Sequence, residues 1–148
     1  MPLILMILVV VLDRITKLAV VNTMTENMSI PIIKNVFHLT YILNPGAAFG
    51  MLEYSRVFFI ALTVVILACA VIFRKKIQKE APMIKYGGAL FLGGAIGNLI
   101  DRIETGLVVD FFDFRIWPIF NVADIAICVG VGLIIWSVMK EESHKEKQ

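Results

Sequence analysis

Charge is scarce in this chain of 148 residues: Asp, Glu, Lys and Arg make up 18% of it, while 59% is apolar. Mean hydropathy is +0.85. A water-soluble domain of this length has too few charges to cover that much apolar surface, so lipid is its natural solvent. Histidine is rarer still, at two residues, His38 and His144. No His-Glu-x-x-His run occurs, which removes the zinc peptidases built on that motif. No Gly-x-Ser-x-Gly elbow occurs either, and neither Ser55 nor Ser137 has an evident histidine base. A phosphate-cradling glycine loop after a strand is absent. Cys69 and Cys128 lie inside apolar runs without metal-ligand spacing and read as small hydrophobes. A net charge of +2 gives no electrostatic footprint for nucleic acid. Neither a cofactor nor a metal is called for, and carboxylates are the chemistry left.

Four apolar segments are present, at about 2–21, 55–73, 83–101 and 121–139. A helix needs about 20 residues to cross a ~30 Å hydrocarbon core, and helices satisfy their own backbone there. The first segment has no basic stretch before it and no small-residue cleavage site after it, so it reads as a retained helix rather than a signal peptide. Arg74, Lys75, Lys76 and Lys79 separate the second and third segments, and Lys140, Lys145 and Lys147 mark the tail. With four spans these clusters share a side, and the positive-inside rule makes that side cytoplasmic, with both termini. The connections 22–53 and 101–121 then face outward. The first of these holds Ile32, Ile33, Val36, Phe37, Thr40, Tyr41 and Ile42, which predict a strand or hairpin ending at the Asn44-Pro45-Gly46 turn. The expected fold is an all-α integral membrane protein, one domain over 1–148, with four transmembrane helices. A small β-rich extracytoplasmic subdomain is expected between the first two helices.

Beyond the Asn44-Pro45-Gly46 turn, four short polar motifs punctuate this frame. Asp13 and Lys17 share a helix face, either as an ion pair or as part of a polar site within the membrane. Arg14 is expected to snorkel to the interface. Asn98, Asp101 and Arg102 project from one face at the end of the third segment, as a structural Asp101–Arg102 network or as substrate contacts. Glycines before them permit close helix packing. In Val108-Val109-Asp110-Phe111-Phe112-Asp113-Phe114, Asp113 is free to face water. Asp110 sits in an apolar setting that raises a carboxyl pKa. Asn121 and Asp124 have the spacing of a capping box, and on spacing alone that structural reading wins. The other reading pairs Asp124 with Asp110 as two carboxylates sharing a proton around one water.

Taken in order, Asp13-x-x-x-Lys17, Asn44-Pro-Gly-Ala-Ala-Phe-Gly50, Gly97-Asn-Leu-Ile-Asp-Arg102, Val109-Asp-Phe111 and Phe120-Asn-Val-Ala-Asp124 resemble the signature blocks of the lipoprotein signal peptidases (signal peptidase II). The resemblance spans about residue 8 to residue 139. It implies an aspartic endopeptidase of the bacterial cytoplasmic membrane. Such enzymes remove the signal peptide of a prolipoprotein just before its diacylglyceryl-modified cysteine. It assigns the catalytic pair to Asp110 and Asp124. Asn44, Asn98, Arg102 and Asn121 become substrate contacts, with Asp13 and Lys17 in support and Asp101 and Gly46 in structural roles. Prolipoproteins and membrane lipids are the implied partners of a monomer. Two other classes stay in view: an ion-coupled transporter, which needs acids at mid-span, and a non-catalytic assembly subunit whose carboxylates are only caps and ion pairs.

Overall fold

The computed structural model describes residues 1–46 and 56–145. The Ala-Ala-Phe-Gly half of the Asn44–Gly50 motif and Lys147 lie outside the described residues. Helix α1 (Pro2–Thr23) is followed by strands β1 (Ser29–Ile33) and β2 (Phe37–Asn44), then helix α2 (Arg56–Ile72) and the short α3 (Arg74–Ile77). Helix α4 (Pro82–Glu104), strand β3 (Val108–Asp113) and helix α5 (Val122–Lys145) complete the order. Both α1 and α4 begin with proline in the first turn, where its missing N–H has no intrahelical role.

Among the described residues, two helices, Pro82–Glu104 and Val122–Glu142, are long and apolar enough to cross a bilayer, and Arg56–Ile72 is a shorter apolar helix. Helix α1 has 22 residues but carries Asp13, Arg14 and Lys17. Its outer face shows Leu3, Ile4, Ile7 and Leu8 to the surroundings, as α5 shows Ile135 and Trp136. Contiguous apolar faces of this kind mark surfaces that meet a membrane or another protein.

Helix α4 is the centre of the bundle, with α1, α2 and α5 packed on it. Its small residues set the spacing: a Cβ added to Gly87 would lie 2.7 Å from the Gly130 carbonyl oxygen on α5. Only glycine allows the two backbones that close.

The expected hairpin forms, with β1 and β2 antiparallel around a tight turn in which the Val36 N–H donates to the Ile33 carbonyl at 3.0 Å. Asn35 takes the left-handed conformation there, at φ +62, which asparagine tolerates better than most residues. The sheet is larger than the sequence predicts. Residues 108–113, expected as loop, form the third strand in the order β1-β2-β3, pairing Ile42 with Asp110 and His38 with Asp113. The β-rich unit is therefore built from both connections. Val20 and Met24 at the end of α1 pack with Tyr41 and Phe111 beneath this sheet, and Val122 at the start of α5 joins them. That core anchors β3, and with it Asp110, against the ends of α1 and α5.

Candidate active site

Asp110 on β3 is 2% exposed. One carboxylate oxygen accepts from Asn44 Nδ2 at 2.8 Å and the other from Asn121 Nδ2 at 2.7 Å. Burial comes first and the negative charge of Asp124 second in pushing its carboxyl up to about 7, against the pull of the Asn44 and Asn121 hydrogen bonds. A carboxyl in that range exchanges its proton near neutrality, as an acid or base in catalysis must.

Asp124 does what its spacing predicts. The Asn121 N–H donates to Asp124 Oδ2 at 3.1 Å, and the Asp124 N–H donates to Asn121 Oδ1 at 3.0 Å, closing a reciprocal capping box at the start of α5. The cap leaves Oδ1, which accepts from Asn98 Nδ2 on α4 at 2.8 Å. Asn121 Nδ2 also donates to Asn98 Oδ1 at 3.0 Å. The two asparagines thus join the carboxylates of Asp110 and Asp124 through one continuous polar chain. The capping and paired-carboxylate readings are compatible, because the cap engages Oδ2 and leaves Oδ1 turned towards Asn98.

Lys17 lies beneath this chain, 2% exposed. Its ammonium donates to Asn98 Oδ1 at 2.9 Å and pairs with Asp13 at 2.9 Å and Asp101 at 2.8 Å, matching three donors to three acceptors. Gly97 makes room for the arrangement: a Cβ there would lie 2.5 Å from Asp13 Oδ2. Asp13 in turn accepts the Ala123 N–H at 2.9 Å, satisfying another free amide at the α5 N-terminus.

Three sequence expectations are corrected. Asp101 and Arg102 do not form a network with each other: Asp101 binds Lys17, Arg14 and the Val109 N–H. Adjacent helical positions diverge in direction, so Asp101 points to α1 while Arg102 turns towards α2. Arg102 donates to the Asn98 and Gly46 carbonyls at 3.3 Å each and stacks 4.6 Å over the Phe59 ring. Arg14 does not snorkel, since Asp101 at 2.7 Å and Glu104 at 2.9 Å give it partners on α4. Asp113 does not face water. It is 3% exposed and accepts from Thr40 and Arg115, each at 2.8 Å. Burial opposes its ionisation, but these hydrogen bonds prevail and hold it below the usual carboxylate range. Gly46 completes the local turn by donating its N–H to Asn44 Oδ1 at 3.0 Å.

Asp110 and Asp124 line a single cavity of about 400 Å³, together with Asn44, Asn98, Arg102 and Gly46. Its remaining walls are apolar, with Phe59 and Ile66 from α2, Phe91 from α4 and Ile127 from α5. Nothing in the sequence distinguishes Phe59 and Ile66 from other lipid-facing residues of α2. Asp13, Lys17 and Asp101 stand behind the cavity rather than in it. Among the described residues, no group of three or more His, Cys, Asp or Glu side chains is placed to hold a metal ion.

The chain and its fold have close counterparts among known proteins. Residues 5–140 match the family model described as signal peptidase (SPase) II. The chain belongs to the signal peptidase II family. A lipoprotein signal peptidase of Pelotomaculum thermopropionicum is 46% identical over 140 residues, covering 95% of this chain and 92% of that protein. One from Halothermothrix orenii is 47% identical over 139 residues, covering 94% and 95%. A solved structure described as a bacterial membrane enzyme, determined by the in meso method at 2.3 Å resolution, superposes with a TM-score of 0.92 at 36% identity. That match covers 99% of this chain and 92% of the other. As a member of this family, the chain is a peptidase with membrane-enzyme structural relatives.

Proposed function

We propose that this signal peptidase II removes the signal peptide of prolipoproteins by aspartic catalysis, cutting on the N-terminal side of the diacylglyceryl-modified cysteine. The observation that carries the reading is that Asp110 and Asp124 line one cavity, with the Asp110 carboxyl pushed up to about 7 partly by the charge of Asp124. In the active form one proton is held by the pair. Asp124, as carboxylate, takes a proton from a water, whose oxygen attacks the scissile carbonyl. Asp110, as neutral acid, donates a hydrogen bond to that carbonyl oxygen as it becomes an oxyanion. Collapse of the tetrahedral adduct breaks the C–N bond, and the proton gained by Asp124 passes to the leaving amine.

Asn44, Asn98 and Arg102 all line the cavity; Arg102 is assigned to the substrate backbone, and so is Asn44, which also holds Asp110 through its Nδ2. Asn98 and Asn121 have their side-chain amides engaged with the two carboxylates and act as positioning residues. Asp13, Lys17 and Asp101 hold Asn98 from behind, and Gly46 shapes the turn that presents Asn44.

The whole chain forms one membrane domain of four spans in this reading, as a monomer in the bacterial cytoplasmic membrane. Helices α1 and α2 add to the two longer apolar helices. The basic residues of α3 mark the cytoplasmic side, with both termini, and the sheet and carboxylates lie towards the opposite face. The substrate's signal helix enters among the spans while its acyl chains stay in the bilayer. Acids gathered at one end of the bundle fit this better than ion transport, which places them at mid-span.

The test is cleavage of a synthetic prolipoprotein peptide carrying a diacylglyceryl cysteine, with the product read by mass spectrometry. A single cut immediately before the modified cysteine is expected. Cleavage elsewhere, or none at all by purified folded protein, contradicts the reading.

A further inference from the structure

A second groove lies at the other end of the bundle from the carboxylates. It encloses about 580 Å³ between the start of α1, the end of α2 and the first turns of α4. Its walls are apolar, including Met6, Ala70, Ala89 and Leu92, while Arg74 and Lys85 also line it. Neither cation forms an ion pair with a described residue. Arg74 opens the basic α3 sequence Arg-Lys-Lys-Ile, none of whose residues is buried. Two cations facing an apolar slot between lipid-exposed helices are complementary to a ligand with one anionic end and a hydrocarbon body. A small anion uses only the first of these features, and a neutral apolar ligand only the second.

We infer that this groove is a binding site for an anionic phospholipid, whose phosphate lies between Arg74 and Lys85 and one of whose acyl chains fills the slot against Leu92 and Met6. A basic residue near the membrane surface attracts acidic lipid, and guanidinium adds bidentate recognition of phosphate. The two cations distinguish an acidic headgroup from a zwitterionic one, and the slot retains the chain. The site is distinct from the peptidase cavity, and no residue is shared between them.

Native mass spectrometry of the purified protein tests this, with phosphatidylglycerol and phosphatidylcholine of identical acyl chains supplied in equal amounts. Wild type retains one phosphatidylglycerol with a preference of about tenfold or more over phosphatidylcholine. The double variant Arg74→Ala, Lys85→Ala loses the preference. Gly88→Leu, at a groove position where an added Cβ meets nothing within 4 Å, blocks the slot and loses retention of both lipids. Unchanged unfolding temperatures without added lipid show that the variants are folded. Equal retention of both lipids by wild type overturns the inference. So does a preference that survives in the folded double variant, or wild-type retention by Gly88→Leu.

Discussion

Lys17 Nζ donates to Asn98 Oδ1 at 2.9 Å across the α1–α4 interface, with both side chains buried. The contact ties the only fully enclosed cation of the bundle, among the described residues, to the asparagine that holds Asp124. Replacing Lys17 with Met leaves Asp13 and Asp101 as buried carboxylates without their shared cation. Breaking a buried ion pair in this way costs about 3–5 kcal/mol. Thermal or denaturant unfolding in detergent should show a loss of that size, with a fall in cleavage even where the folded fraction is restored by cooling.

Gly97 and Gly88 provide a paired test of helix packing. A Cβ at Gly97 meets Asp13 Oδ2 at 2.5 Å, whereas one at Gly88 meets nothing within 4 Å. Gly97→Ala is expected to destabilise the protein by about 1–3 kcal/mol through overpacking. Gly88→Ala is expected to be neutral or slightly stabilising, because alanine favours helix over glycine. Unfolding temperatures of the two variants check the contrast.

Asp110 gives the pH dependence its sign. It is neutral below about 7 and ionised above it. If its neutral form donates to the scissile carbonyl, kcat/KM falls as pH rises through that range. Asn44 stabilises the ionised form by donating to it, so Asn44→Ala should move the alkaline limb to higher pH while lowering the rate. A limb that stays in place or moves to lower pH contradicts the assignment.

Asp113 behaves oppositely and serves as a control. Its carboxyl lies below its ordinary value of 3.8 in the folded protein, so its contribution to stability is complete above that pH and is lost on acidification through the lower folded value. Asp113→Asn should weaken the sheet by about 1 kcal/mol through the Thr40 and Arg115 contacts. The pH profile of cleavage should be unchanged.

Much of this arrangement is legible in the amino-acid sequence. Apolar runs, uncharged in α2 and broken only by Lys85 in the third run and Asp124 in the fourth, predict α2, α4 and α5, and β-branched residues before Asn44-Pro45-Gly46 predict the hairpin. Strand β3 was hidden because Val-Val-Asp-Phe-Phe-Asp does not alternate: adjacent Asp110 and Phe111 are both buried, one towards the polar chain and the other in the core. Capping-box spacing correctly couples Asn121 to Asp124, a local relation that sequence can carry. Asp101, which binds Arg14, and Thr40, which binds Asp113, lie 87 and 73 positions away, set by helix and strand packing that no local pattern encodes.

The most direct measurement is cleavage of a diacylglyceryl-modified prolipoprotein peptide by wild type, Asp110→Asn and Asp124→Asn, with unfolding temperature recorded for each. These isosteric changes remove the acid–base function while preserving shape. Each variant should remain folded and lose cleavage by at least about a hundredfold, since loss of a proton-transfer group typically costs 10²–10⁴-fold. Near-normal cleavage by both folded variants would contradict the central claim that this pair activates the water.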